Sequence, residues 1–546
     1  MTRRMRRRTL LKLSGSAAAV QALAAQGESG DVIISELGAI AVGHAPTAAR
    51  AGHDIFAQGG NAVDAAVAAA LTAAVVEPAS CGIAGYGTHI TIGRADGKVA
   101  CIDANSVAPQ AARPDMFKHD GTGQVPGKVN YYGWLAAGIP GVMAGLQAAL
   151  DGYGEKKLGD VAASAIRYAR DGFVVNERVA GSFQGSAERF RRDPASKKLY
   201  FHGDEPIRAG QRYRNPDLAS MLETLAGRGT ADSFYRGDIG RQIAAAFQKH
   251  GGIATADDFA AYEARQVETN QLSWRGYSMH TAPVSAGGLS TLQALAIVKA
   301  LKWEEWTARY KKNHAALEAL RLVWADRFRY FGDPEHVDVP VARLLSDDYV
   351  RELADKVESS VKAGRPIEQD FDSYEQRGTI HISSSDREGN VVAVTLSHGG
   401  GFGAHVTVEG LGLTLGHGVS RFDPRPGRAN SIAPRKRPLN NMTPTVVLRD
   451  GRPILAIGGR GGRRIPNMLY SALLHFVGED RSMVESVNGP RMHTLGAMNL
   501  TLDNPWKAED VDFFKKIGYR VSRGGVALLS AASFDPRTGK AAAAFR

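Results

Sequence analysis

Only two cysteines, Cys81 and Cys101, occur in the 546 residues. That excludes a disulfide framework and a zinc cluster, and both thiols are expected to be free and buried. No His-x-x-x-His pair with a supporting acid appears, so neither a metal nor another cofactor is expected. No repeat recurs at a solenoid or propeller period. The apolar stretch from Leu13 to Leu23 is too short and too mild to anchor in a bilayer, which takes ~20 apolar residues. Acidic residues are missing altogether from residues 1–24, which carry six of the 67 basic residues. Without that segment, 61 basic residues face 56 acidic ones, so the formal +11 falls to +5. The remaining excess is spread out and lacks the patterned aromatic and basic residues of a nucleic-acid surface.

What is present begins with that basic segment. Arg7-Arg8-Thr9-Leu10-Leu11-Lys12 followed by an apolar stretch and Ala22-Leu23-Ala24 resembles a twin-arginine export signal. It implies release to the periplasm or the exterior, with residues 1–24 removed and no membrane anchor left. The rest has the 44% hydrophobic and 23% charged residues of a folded protein, not of a disordered tail.

Gly59-Gly60-Asn61 stops one helix and starts another, and the alanine-rich run to Leu71 predicts a helix buried almost all round. Thr88 to Gly93 alternates as a half-buried strand. Apolar spacing of three and four predicts helices at Val142–Leu150, Val161–Ala169, Ile239–Gln248, Leu292–Leu301 and Ala315–Phe328, so residues 140–330 read as a helical layer. Charge rises and the apolar pattern lapses over 355–378, which reads as an exposed connector. A hairpin follows, Thr379–Ser385 and Val391–Ser397, then strands at Pro444–Leu448 and Ile454–Ile457 and a helix over Asn467–Val477.

Thr379 opens the first strand of that hairpin directly after the connector and Gly378. An N-terminal threonine carries its own base, because an α-amine with a pKa near ~8 can take the hydroxyl proton. Attack of the same hydroxyl on the Gly378 carbonyl would expose that terminus.

Several ordered blocks resemble the γ-glutamyltranspeptidase family of N-terminal-nucleophile hydrolases. They include Gly59 to Ala68, Val76-Glu77-Pro78, Pro140 to Gly145, Gly252 to Asp258, Ser285 to Gly288, Thr379 to Ser383, Arg437-Pro438-Leu439, Met442 to Thr445 and Gly461 to Ile465. The resemblance spans nearly all of the chain after residue 24. It implies an α+β, four-layer αββα fold, made as one precursor and cut between Gly378 and Thr379. An α subunit of 25–378 and a β subunit of 379–546 would share one core, as one α/β heterodimer or a dimer of these.

Carried over position by position, the resemblance makes Thr379 the nucleophile and Thr395 the threonine that hydrogen-bonds it. Ser397 stands where the family has a second hydroxyl. Gly461 and Gly462 match the oxyanion pair, and His381 matches a histidine that ligates no metal. Substrate recognition departs from the pattern. The family's arginine for the substrate α-carboxylate falls on Asn105, and its residues for the α-amino group fall on Gly399, Gly418 and Arg421. Its paired serines fall on Asn440 and Asn441, while Arg464 is retained. An arginine in place of an aspartate repels an ammonium and attracts an anion. The short stretch Pro426–Pro434 replaces a longer lid, which favours water over an amino-acid acceptor.

The expectation is therefore a small-molecule amidohydrolase whose acyl group bears a carboxylate, with Arg421, Arg435, Lys436, Arg460, Arg463 and Arg464 as candidates to surround it. The alternatives are a true γ-glutamyltransferase or glutathione hydrolase, and a binding homologue without catalysis.

Overall fold

The computed structural model describes residues 11–13, 32–369, 379–503, 505–524 and 527–546. Arg7, Arg8, the Ala22-Leu23-Ala24 site and Gly378 lie outside the described residues.

Two sheets lie face to face between two layers of helices. The smaller runs Arg265–Val267, Val99–Ala104, Gly87–Gly93, Val391–Ser397, Ile380–Asp386, Gly38–Val42, and all its pairings are antiparallel. The larger runs Leu11–Leu13, Val32–Ser35, Lys540–Phe545, Leu528–Asp535, Arg452–Arg460, Thr445–Arg449, Tyr277–Thr281, Asn270–Trp274. The predicted hairpin is the middle of the smaller sheet.

Strand alternation explains the layering. Ile380, Ile382, Val392, Val394 and Leu396 point outward, into an apolar cluster with the helices Pro46–Ala57, Ala62–Val76 and Val142–Tyr153. Leu455 and Ile457 of the larger sheet point the opposite way, into a cluster with Gly288–Ala300, Arg309–Tyr330, Asp347–Ala363 and Arg464–Leu473. The gap between the sheets is filled by small and polar groups. Ala39 and Ala41 meet Ala532, Ala541 and Ala543, and Val391 and Ala393 meet Val446, Leu448 and Ala456.

The alanine-rich helix Ala62–Val76 is buried at every position. Asn61 accepts hydrogen bonds from the backbone N–H of Val63 and Asp64, and the Asp64 carboxylate accepts from Asn61 N in return, so the helix start is closed without water.

Two expectations change. The connector predicted from 355 begins later, because Asp347–Ala363 is one helix. Val350, Leu353, Ala354, Val357 and Val361 bury one face of it, a three- and four-residue spacing hidden among charges. The stretch 140–330 is not purely helical either. It supplies Arg265–Val267 to one sheet and Asn270–Trp274 and Tyr277–Thr281 to the other. These strands are only three to five residues long, and Arg265–Val267 and Asn270–Trp274 are largely half exposed.

The two sheets are in close contact where Gly458 meets His381. A Cβ added at Gly458 would lie 2.1 Å from Cε1 of the imidazole, whose two nitrogens are both held by hydrogen bonds. The ring cannot yield without breaking them. Gly458→Ala is therefore expected to lower unfolding stability by about 2 kcal/mol or more, the upper range for overpacking a tight core. Gly401→Ala, in an exposed turn with nothing near its added Cβ, should stay within about 0.5 kcal/mol. Denaturant unfolding of both variants checks this, and equal stability of the two would refute the close approach.

Candidate active site

The hairpin register pairs His381 with Thr395 and Ile380 with Leu396. One step further along, Thr379 stands opposite Ser397. The Thr379 hydroxyl donates to Ser397 Oγ over 3.5 Å, a long contact, and Ser397 Oγ also accepts from Gly399 N at 2.7 Å. Thr379 is buried apart from 6% of its surface.

Thr395 does not take the place the sequence comparison gives it. Its hydroxyl lies 2.7 Å from His381 Nδ1, and His381 Nε2 lies 3.0 Å from Ser383 Oγ. Ser383 donates onward to the carbonyl of Ser530 at 2.9 Å. That last bond fixes the direction of the whole chain. Ser383 Oγ accepts from His381 Nε2–H, and His381 Nδ1 accepts from the Thr395 hydroxyl. The reason for the correction is strand parity and register: a residue two positions from Ser397 faces the same gap but one pair further in. Ser397 is the hydroxyl beside Thr379, and Thr395 braces His381.

Burial pushes the His381 pKa down to about 3, so the ring is neutral near pH 7 and acts as a strut. The same row continues across the sheet, since Thr395 pairs with His89, His89 with Asp103 and Asp103 with Arg265. His89 Nδ1 is 3.6 Å from Asp103, and Asp103 is in an ion pair with Arg265. Sequence reasoning missed this row. Its signal is a polar residue at every second position of otherwise apolar strands: His89 and Thr91, His381 and Ser383, Thr395 and Ser397.

Gly461 and Gly462 follow the strand Arg452–Arg460 and lead into the helix Arg464–Leu473. Their φ angles are +141° and +63°. A Cβ at Gly461 would sit 2.6 Å from Ala527 Cβ, so glycine is needed there for space as well as for conformation. Unpaired N–H groups gather at such a helix start.

The other predicted positions are occupied by internal hydrogen bonds. Asn105 is fully buried; its amide N–H groups donate to Ser285 Oγ at 2.8 Å and Pro438 O at 2.6 Å, and its Oδ1 accepts from Ser106 N. Asn440 bonds His89 Nε2 through Nδ2 and accepts from Met442 N. Asn441 Oδ1 accepts from Arg327. Arg421 donates to the Gly399 carbonyl and reaches His417 Nε2 at 3.1 Å. Arg464 is half-buried at the helix start, and Arg463 lies over the Phe328 ring.

Two of the six basic residues expected around the site have other surroundings. Lys436 donates to the Ala429 carbonyl, and Arg435 lines a cavity of about 540 Å³ with Arg437, Arg265, Tyr262, Glu335 and His336, while Thr379 does not line it. Residues 426–434 are tied down: Asn430 Nδ2 donates to the Arg421 carbonyl and Ser431 Oγ to that of Arg425.

Cys81 and Cys101 are free and buried, and burial pushes the Cys101 thiol up to about 12. Among the described residues, no group of three His, Cys, Asp or Glu is placed to hold a metal ion, and no helix is long and apolar enough to cross a membrane.

The γ-glutamyltranspeptidase family model matches residues 48–546. The chain belongs to the γ-glutamyltranspeptidase family. It is 34% identical over 469 residues to the glutathione hydrolase proenzyme of Escherichia coli K12, covering 82% of this chain and 79% of that one. It is 33% identical over 463 residues to the acylase ACY 1 proenzyme of Pseudomonas sp. strain SE83, covering 83% and 82%. The fold superposes on cephalosporin acylase from Bacillus halodurans with a TM-score of 0.84, over 98% of this chain and 97% of that one, at 24% identity. The chain is thus an enzyme of the N-terminal-nucleophile hydrolase class with the expected αββα architecture.

Several histidines besides His381 are buried and neutral. Burial lowers His398 to about 3 and His405 to about 4, against an ordinary value of 6.5. The unfolded chain takes up protons below pH 6.5 that the folded chain refuses. The stability from keeping these rings neutral is therefore complete above pH 6.5 and is lost as pH falls toward 4, at roughly 1.4 kcal/mol per ring per pH unit well below 6.5. Denaturant midpoints at pH 7.5, 6.0 and 5.0 should fall in that order, and a flat profile would contradict the neutral rings.

Proposed function

We propose that the chain is a self-processing N-terminal-threonine amidohydrolase that cleaves a small amide with a carboxylate-bearing acyl group. The observation that carries this is the Thr379 hydroxyl at the start of a central strand, against Ser397.

In maturation, Thr379 Oγ attacks the Gly378 carbonyl, the peptide becomes an ester, and water releases Gly378 as a free acid and Thr379 with a free amine. The mature protein is then an α/β heterodimer of 25–378 and 379–546, exported by the twin-arginine route to the periplasm or the exterior. In turnover, the α-amine takes the Thr379 hydroxyl proton as Oγ adds to the amide carbon. Ser397 holds Oγ, and the N–H groups of Gly461 and Gly462 receive the oxyanion. The ammonium gives its proton to the leaving nitrogen, the amine departs, and water delivered through the same base hydrolyses the acyl-threonine ester.

A γ-glutamyl substrate is the second reading, favoured by the relatives named glutathione hydrolase. Against it stand the residues where that head group would bind. Asn105, Asn440 and Asn441 spend amide groups on internal partners, and Arg421 brings a positive charge to the α-amino side. Relatives named acylase are compatible with a different acyl group.

Mass spectrometry of the purified protein should find a fragment beginning at Thr379, and Thr379→Ala should yield neither that fragment nor amide turnover. Ser397→Ala should fold and lose about tenfold to a hundredfold in kcat/KM, equal to about 1.4–2.7 kcal/mol of transition-state stabilisation. Thr395→Val should instead lower unfolding stability by about 1–3 kcal/mol, because buried His381 Nδ1 loses its donor. Catalytic loss in Thr395→Val with Ser397→Ala unaffected would reverse the two roles.

A further inference from the structure

Arg460 ends the strand Arg452–Arg460 on the same face as Gly458, the residue against His381. Thr379 precedes His381 by two residues and Arg460 follows Gly458 by two. Alternation therefore brings both side chains out at one end of the gap between the sheets. The neighbours agree. Gly43 continues the strand that pairs with Ile380–Asp386, and a Cβ added there would lie 3.9 Å from Arg460 Cδ. The oxyanion glycines come immediately after Arg460 in the chain.

Glu77 is 4% exposed. Its Oε1 takes Arg178 Nη2, and its Oε2 has no hydrogen-bond partner among the described residues. Arg460 Nη1 is likewise buried without a partner, and no ion pair within 4 Å joins Arg460 to an acid among the described residues. His44 is close to Arg460 and Arg178 and is held neutral, its pKa lowered to about 4 by burial and by those two charges. Two guanidinium groups and one carboxylate thus meet at a partly buried corner, and only Arg178 is ion-paired with the acid. Among the described residues the local balance is one positive charge in excess, with Arg460 Nη1 buried, and a charge so placed attracts an anion. Arg421 is a poorer candidate for that anion, since it already serves the Gly399 carbonyl and His417.

We propose that Arg460 is a specificity-determining residue that receives the terminal carboxylate of a dicarboxylic monoamide, with the Glu77–Arg178 pair at its side. This rests on the acyl-enzyme reading above and adds to it which arginine selects the acyl group.

The test compares glutaryl and valeryl p-nitroanilides, which differ only in a terminal carboxylate against a methyl group. The unmodified enzyme should prefer the glutaryl compound, and free glutarate should inhibit it competitively. Arg460→Met should lower the glutaryl-to-valeryl ratio of kcat/KM by roughly 30-fold or more. Arg460→Lys, which keeps the charge without the fork, should give an intermediate ratio through a raised KM. Retention of the Thr379-starting fragment in each variant reports that it folds. A ratio within threefold of the original in Arg460→Met, or in Arg460→Lys where the methionine variant does not fold, overturns the proposal. So does a self-cleaving enzyme that neither hydrolyses the glutaryl anilide nor is inhibited by glutarate. Failure to self-cleave, with neither anilide turned over, counts against the catalytic reading instead.

Discussion

The imidazole of His381, pressed on the bare backbone of Gly458 and bonded at both nitrogens, sets the spacing of the two sheets. Everything in the site is measured from that contact. Thr379 is two residues before it on one strand, Arg460 two residues after it on the facing strand, and Ser397 is across the hairpin. A ring that titrated near neutral pH would be a poor spacer, because its charged form would disrupt the chain from Thr395 to Ser530. Burial removes that problem by keeping the ring neutral, and the histidine serves as a rigid, two-ended hydrogen-bonding block.

This inter-sheet layer is costly to build from polar groups, and the fold compensates on its outer faces. The strands give their large aliphatic side chains to the helix layers, where two extensive apolar clusters form. That leaves the gap for alanines, a small aliphatic cluster around Val391, Val446 and Leu448, hydroxyls, histidines and an ion-paired aspartate. Such a gap is thin enough for strand ends from both sheets to converge, and polar enough to hold a nucleophile without stranding its hydroxyl. The division also explains the glycines at 458 and 461: each marks a place where a backbone must approach a fixed group more closely than a Cβ allows.

Much of the fold was legible because its strongest periodic segments are long or alternate cleanly. Ala62–Val76 showed as a buried alanine run behind an Asn61 cap, and Val391–Ser397 as a valine-rich strand that alternates from Val394 to Ser397. Asp347–Ala363 was partly hidden, since five buried apolar residues among many charges read as a lapse. Asn270–Trp274 and Tyr277–Thr281 were hidden for another reason: each is only five residues long, and Asn270–Trp274 is a half-exposed edge strand carrying few apolar residues. In the site, motif order proposed Thr379 and the glycine pair, and motif matching alone put Thr395, where the fold has Ser397, beside the Thr379 hydroxyl. Register decides that point, and register depends on which residues pair across the hairpin, which similarity to a block of sequence does not state. The basic excess had the same difficulty. Arg321 and Arg491 are buried against Glu318 and Asp503, so they are part of the internal framework, and a count of arginines cannot separate them from a residue such as Arg460.

That distinction bears on where a ligand carboxylate can be received. Asn105 binds Ser285 and Pro438, and Asn440 binds His89 within the row that runs to Asp103 and Arg265. These side chains close one side of the site, and reopening it for a ligand would strand buried donors and acceptors at a cost of about 1–3 kcal/mol each. A substrate carboxylate therefore has little to gain there. On the side of the strand end the balance is reversed. Arg460 Nη1 is already a buried donor without a partner, so an incoming carboxylate relieves a cost that the empty protein bears. On the proposed reading, filling one surface with internal hydrogen bonds while leaving a charge unmatched on another would redirect specificity without moving Thr379, Ser397 or the glycine pair.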